Sequence, residues 1–283
     1  MAGNIDPTVL AYGHEDEYYV PQPSRWPLLT ALSAATLVSG MFLVFNGVAG
    51  GLIVLLLGLA WQLANMYGWW RDVVRESESG SYRTWEDVSF RWGMAWFIFS
   101  EVMFFACFFG ALFYARGVSV PDLASEISRT VWPGFQATWP TMGPYRQVDF
   151  ETIPAFGIPL LNTAILLLSG ATITAAHWEL RRNRRGPLAA WLAATILLGI
   201  IFLALQAAEY VHAYQDLNLR LDSGIYGSTF FMLTGFHGLH VTIGVLSLIV
   251  ILARCMNGHF TPAKHFGFEA VAWYWHFVDV VWL

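Results

Sequence analysis

The sequence predicts an all-α polytopic membrane protein with seven transmembrane helices. Apolar residues make up 56% of the chain and charged residues only 12%, whereas soluble domains have about 45–50% and about 25%. Several apolar runs reach the length of about 20 residues that a helix needs to cross a bilayer. The formal net charge of −5 argues against a nucleic-acid partner.

The seven spans follow from the uncharged runs. Two lie between Trp26 and Trp70, separated by the turn-forming stretch "FNGVAGG" at 45–51. The other five cover about 91–116, 158–178, 188–208, 226–253 and 270–283. The last run rises only about 21 Å, less than the roughly 30 Å hydrocarbon core, so we expect this helix to be truncated and to continue past Leu283.

Basic residues predict the orientation, because they concentrate on the cytoplasmic side of membrane proteins. Alternate connections separate them into a large group of eleven and a small group of four. The larger group is Arg25, Arg71, Arg75, Arg83, Arg91, Arg181, Arg182, Arg184, Arg185, Arg254 and Lys264, and the smaller is Arg116, Arg129, Arg146 and Arg220. The N-terminus is therefore expected in the cytoplasm and the C-terminus outside.

The predicted organisation has four parts. An acidic cytoplasmic tail, 1–25, lacks the basic start of a cleavable signal peptide. Helices I–II occupy 26–70, and a cytoplasmic connection occupies 71–89. Helices III–VII occupy 90–283, with an ordered external loop at 117–157.

Ionisable groups inside spans are costly and need a reason. Glu101 lies near the middle of the third span and is either a carboxylate that handles protons or a neutral acid that donates one hydrogen bond. His237 and His240 share one face of the sixth span, where they either bind a metal or haem or make structural hydrogen bonds, which we favour. His276 and Asp279 share a face of the last span and are expected to fix it inside a bundle or, less favoured, to join a proton relay.

Two groups of side chains at the inner membrane surface suit phospholipid headgroups, because aromatics and spaced cations occur there together. They are Trp70, Arg75 and Glu76 after the second span, and Arg254, His259 and Lys264 after the sixth. Residue pattern alone leaves ordinary positive-inside bias as an equal explanation. His177 and Glu209 lie near helix ends and carry no predicted chemistry.

Several long motifs resemble subunit III of haem–copper cytochrome c oxidase, from Trp26 onward and in the order of that family. They are "YGWWRDVVRES" at 67–77, "FRWGMAWFIFSEVMFFACFFGALFY" at 90–114, "PLLNTAILLLSGATITAAHW" at 159–178, "LQAAEY" at 205–210, "GIYGSTFFMLTGFHGLHVTIG" at 224–244 and "HFGFEAVAWYWHFVDVVWL" at 265–283. The long third connection resembles bacterial members more than mitochondrial ones, which favours a bacterial inner membrane over the mitochondrial one.

The resemblance implies a non-catalytic subunit in which helices I–II and III–VII form two arms around a lipid-filled cleft. It implies that this chain contacts subunit I, accompanies subunit II and small subunits, and holds phospholipid at the six inner-surface residues. Haem and copper would lie in subunits I and II, with none in this chain, and the complex would oxidise cytochrome c, reduce oxygen to water and pump protons. Glu101 matches the buried carboxylate of the family, and Lys264 stands where relatives often have histidine.

Three alternatives remain open at this stage. A quinol oxidase subunit III typically lacks the first two helices, which are present here. A stand-alone transporter or proton channel would need a polar ladder or broken helices at mid-membrane. A haem-binding membrane enzyme would need histidines at matching depth on two facing helices.

Overall fold

The computed structural model describes residues 23–82, 84–144 and 149–283, and within them the regular structure is helical. The main helices are α1 (Trp26–Phe45), α2 (Gly51–Glu78), α3 (Thr84–Tyr114), α4 (Val120–Leu123), α5 (Ile158–Arg181), α6 (Arg185–Gln215), α7 (Gly224–Met256) and α8 (Phe266–Trp282). Most of the predicted N-terminal tail, together with Arg83 and Arg146, lies outside the described residues.

The all-α polytopic membrane class is confirmed. Six helices are long and apolar enough to cross a membrane, namely α1, α2, α3 (followed to Leu123), α5, α6 and α7. The seventh predicted span corresponds to α8, which has 17 residues. Large apolar side chains stay exposed along the spans, such as Phe113 at 74% and Trp96 at 64%, as expected for helices surrounded by lipid or by other subunits.

Helix ends differ from the predicted spans. The second helix was expected to end at Trp70 and the third to begin near Phe90, but α2 runs to Glu78 and α3 starts at Thr84. The predicted connection at 71–89 is therefore mostly helical. Hydropathy identifies only the part of a helix that lies inside the hydrocarbon core. The helix itself can continue into the interface through polar turns, because water there forms hydrogen bonds with their side chains.

The described chain forms two compact units, one ending at Phe90 and the other running Arg91–Leu283. In the first unit α1 packs against α2. The two backbones approach closely, since a Cβ on Gly40 would lie 2.3 Å from the backbone nitrogen of Leu55, and one on Gly58 would lie 2.6 Å from that of Leu37. Small residues at such crossings allow van der Waals packing between membrane helices.

Polar side chains tie the same hairpin together. The Asn65 amide donates to the backbone oxygen of Leu29 at 3.0 Å, and the Ser33 hydroxyl donates to Gln62 Oε1 at 2.6 Å. Near the end of the hairpin the indole N–H of Trp26 donates to Asp72 at 2.8 Å. Each bond satisfies a group that would otherwise be unpaired in lipid.

The second unit is a bundle in which α5 packs against α6 and α8, and α7 packs against α6 and α8. Only residues 182–184 connect α5 to α6, which makes them antiparallel neighbours. Trp275 of α8 is fully buried at the centre. A Cβ on Gly199 of α6 or on Gly244 of α7 would lie 2.8 Å from its ring, and its indole N–H donates to Ser169 of α5 at 2.9 Å.

The connection between α3 and α5, predicted to be external, has helical turns and packing contacts where the structure describes it. A π-helical turn, Ala115–Ser119, and α4 extend the third helix. Beyond it the ring of Trp139 packs edge-on against Tyr226 with centroids 5.7 Å apart, and Phe150 stacks on the same ring at 5.5 Å. The Glu151 N–H donates to the Leu217 carbonyl at 3.0 Å, so the loop rests on the connection between α6 and α7.

Replacing Trp275 with Phe should destabilise the second unit, because it leaves a cavity between two glycines and removes the donor to Ser169. We expect the free energy of unfolding of the full chain, measured by SDS titration in detergent, to fall by about 2 kcal/mol. Trp273→Phe is the matched control, since Trp273 is 36% exposed and should change stability little. Equal losses in both variants would refute the central role of Trp275.

Candidate functional site

A polar pair in the second unit joins α3 to α7. His240 Nε2 lies 2.9 Å from Glu101 Oε2, and the other ring nitrogen, Nδ1, donates to the Phe236 carbonyl at 2.6 Å. The two side chains are 11% and 21% exposed. With its Nδ1 proton committed, His240 can accept a proton from Glu101 or donate one to it.

Aromatic rings surround this pair. Their centroids lie 5.0–6.4 Å from the His240 ring, and they belong to Phe104, Phe105, Tyr274 and Phe277. Each side chain is the polar partner of the other in these apolar surroundings, where an unpaired charge would be costly. This arrangement is a structural contact that also offers one exchangeable proton position.

His237 differs from its neighbour one turn away. It is 3% exposed, and neither ring nitrogen has a hydrogen-bond partner among the described residues. Its ring packs against Trp282 with centroids 5.1 Å apart and against Phe202 at 5.8 Å. The expected structural hydrogen bonds are therefore present at His240 and not at His237, although both lie on the same face of α7.

His276 and Asp279 of the last helix also differ in burial. The Asp279 side chain is 8% exposed and lies 3.5 Å from His276 Nδ1, but His276 is 46% exposed. A Cβ on Gly170 of α5 would come within 2.4 Å of the Asp279 carboxylate. His276 Nε2 is 3.3 Å from Oγ1 of Thr174, which also belongs to α5. These contacts attach α8 to α5, with only Asp279 buried inside the unit.

The predicted lipid-binding residues of the first unit lie at the end of α2. Trp70 is 61% exposed, and the Arg75 side chain is 69% exposed with its guanidinium 4.0 Å from Asp72. The Glu76 carboxylate accepts a hydrogen bond from the Tyr82 hydroxyl at 2.8 Å. Among the described residues, Arg75 thus has only a weak ion pair, and its side chain is largely exposed.

The predicted residues of the second unit lie at the connection from α7 to α8. The Arg254 guanidinium covers the Phe260 ring at 4.4 Å, and the His259 N–H donates to the Arg254 carbonyl at 3.1 Å. Lys264 is exposed, and its backbone N–H donates to Thr261 Oγ1 at 3.0 Å. The turn is held by its backbone, which leaves the Lys264 ammonium outward.

The sequence analysis missed one group at this end of the second unit. His177 of α5, together with His265 and Glu269 at the start of α8, places three ligand atoms within 4.8 Å of one another. The Arg91 guanidinium pairs with Glu269 Oε2, while Oε1 faces the two histidines. The spacing of four between His265 and Glu269 was a visible signal, but His177 is 88 residues away along the chain and only the fold brings it near.

Comparison with known proteins identifies the family. Residues 16–283 match the family model described as cytochrome c oxidase subunit III. Proteins described as cytochrome c oxidase subunit 3 from Osphranter robustus and Rattus norvegicus are each 45% identical over 267 residues, and that of Pongo abelii is 47% identical. In each case the alignment covers 94% of this chain and 93% of the relative.

Replacing Glu101 with Leu should leave the Nε2 atom of His240 unpaired and cost about 1–3 kcal/mol of unfolding free energy. Glu101→Gln should cost less than about 1 kcal/mol, because its amide can still donate to Nε2. SDS titration of the full chain measures both. Met103→Leu, at a residue 49% exposed on the same helix, is the control, and equal losses for Leu and Gln at 101 would contradict the pairing.

Proposed function

We propose that this chain, which belongs to the cytochrome c oxidase subunit III family, is a non-catalytic brace of a proton-pumping terminal oxidase. The chain is a membrane-embedded subunit of an oxidoreductase complex that has other subunits. In the proposal those other subunits, I and II, hold the haem and copper. They pass electrons from cytochrome c to oxygen.

The Glu101–His240 pair is the observation that carries the bracing role. Its members lie 139 residues apart in sequence, and each satisfies the other inside a layer of aromatic rings. Ionisable groups that serve a redox cofactor or a transport path would face a cavity or water, since charges in membranes mark such routes. Here the paired groups join α3 to α7, which supports a rigid unit.

The proposed partner surface is the exposed apolar face of the spans. Side chains such as Phe113, Trp96 and Leu52 are 74%, 64% and 59% exposed, and lipid or another apolar protein surface would cover them. In the proposal subunit I covers part of this surface. The rigid bundle beside it stabilises subunit I and supports its proton uptake through turnover.

The proposed location is a bacterial inner membrane, with the N-terminus cytoplasmic and the C-terminus periplasmic. The support is the placement of basic residues in the second unit. Arg181, Arg185 and Arg254 lie at one end of the helices, with Arg184 and Lys264. Arg116 and Arg220 lie at the opposite end. The positive-inside rule assigns the more basic end to the cytoplasm.

Phospholipid binding at the inner ends of both units completes the proposal. Arg75 and Lys264 turn their charges outward, and the exposed Trp70 supplies an amphipathic ring at the same level as Arg75. Cations just beyond the hydrocarbon core attract anionic headgroups at about 1 kcal/mol each. Arg254 is held over Phe260 and contributes a fixed positive charge in the turn.

Removal of this chain from the purified complex tests the bracing role. We expect the haem absorbance bands and the initial rate of cytochrome c oxidation to persist, because the redox centres lie in other subunits. Activity should then decay faster during sustained turnover, and adding back the chain should restore its lifetime. Loss of haem absorbance in proportion to the chain removed would overturn the proposal, and so would an unchanged lifetime.

Arg75→Ala should lower the anionic phospholipid that co-purifies with the complex, measured by mass spectrometry of extracted lipids. About 1 kcal/mol of lost attraction corresponds to roughly fivefold weaker retention at that position. Arg182→Ala is the matched control, because Arg182 is 61% exposed and has its own weak pair with Glu179 at 3.3 Å. Equal lipid loss in both variants would indicate general surface charge and not a site.

A further inference from the structure

We propose that His177, His265 and Glu269 form a binding site for a divalent transition-metal ion of the zinc type. The site would connect the inner end of α5 to the first turn of α8. This departs from the sequence-based expectation that the chain holds no metal. It is separate from the Glu101–His240 pair, and it does not depend on the proposed oxidase role.

The spacing of the three ligand atoms carries the inference. His177 Nε2 lies 3.1 Å from His265 Nε2, and Glu269 Oε1 lies 3.5 Å from the first and 3.3 Å from the second. Ligands bound to Zn²⁺ at about 2.0–2.1 Å in a tetrahedron are about 3.3 Å apart. The three distances therefore match one face of such a tetrahedron.

The neighbouring groups direct these atoms toward a cation. His265 Nδ1 lies 3.1 Å from the Thr261 carbonyl, and only a protonated Nδ1 can donate to it. The Nε2 lone pair of a neutral His265 then points at the other two ligands. The guanidinium of Arg91 pairs with Glu269 Oε2, which leaves Oε1 for the ion. Metal sites commonly hold their ligands through such outer hydrogen bonds and ion pairs.

The alternative is a cluster held by protons alone. A neutral His177 can carry at most one proton on Nε2. That proton can make a full hydrogen bond to His265 Nε2 or to Glu269 Oε1, but not to both. A cation satisfies all three lone-pair donors at once. Binding would also displace any proton held between the two Nε2 atoms, as is usual for imidazole ligands.

The donor set indicates the class of ion. Two imidazoles and one carboxylate suit zinc and its neighbours, whereas Mg²⁺ and Ca²⁺ prefer oxygen ligands. The side chains of His265, Glu269 and His177 are 9%, 15% and 26% exposed. The site is thus mostly enclosed by the bundle, and His177 supplies the more exposed side from which an ion could enter.

Zinc titration of the chain purified with its partners, after treatment with a chelator, tests the site. We expect the wild-type complex to bind one more tight Zn²⁺ than the His177→Gln and Glu269→Gln variants, with affinity at the site reduced about tenfold or more in each. His212→Gln is the matched control, since His212 forms its own exposed pair with Asp216 at 2.6 Å. Loss of the tight ion in the control, or its retention in both site variants, would overturn the proposal.

A second measurement needs no variant. Zn²⁺ at the concentration that fills the tight site should protect His177 and His265 of the wild-type chain from acylation by diethyl pyrocarbonate, read by mass spectrometry. His212 labelling should persist. Unchanged labelling of His177 and His265 would refute the site even if the variants assembled poorly.

Discussion

Burial of Trp275 is the contact on which the second unit depends. The indole fills the space left by Gly199 and Gly244 on two helices and donates its N–H to Ser169 on a third. Within the membrane there is little hydrophobic force between helices, so close packing and satisfied polar groups must hold them together. One side chain supplies both, and it fixes the depth and rotation of α8. The positions of Asp279 and Glu269 follow from that placement.

The membrane also explains why several of the buried polar side chains occur in pairs. Glu101 meets His240, Asp279 meets His276, and Ser33 meets both Gln62 and Asn65. A lone ionised group in lipid would cost several kcal/mol, whereas each of these groups has a polar partner. The Glu101–His240 and Ser33–Gln62 contacts join different helices and therefore help to set which helix faces meet. A bundle fixed in this way can present a constant apolar surface to neighbouring subunits, as a bracing subunit requires.

Much of the fold could be predicted from the sequence because lipid imposes a simple rule on length and hydropathy. The helices long enough to span a membrane followed from that rule. The helix ends did not, since α2 continues to Glu78 through polar turns that hydropathy treats as a connection. The sequence favoured structural hydrogen bonds for the ionisable residues inside the spans. It could not identify their hydrogen-bond partners, because these depend on which helices become neighbours. Glu101 and His240 meet across 139 residues, and no local pattern links them.

His177 illustrates the same limit more sharply. Its position near a helix end predicted no functional role. The packing of α5 against α8 nevertheless places it beside His265 and Glu269. In the proposed function, the redox cofactors belong to the partners of this chain. The most direct measurement is the iron, copper and haem content of the tagged chain, purified gently with its partners and again after their dissociation. Haem and copper that leave with the partners agree with the account, whereas haem or copper that stays with the isolated chain would contradict it.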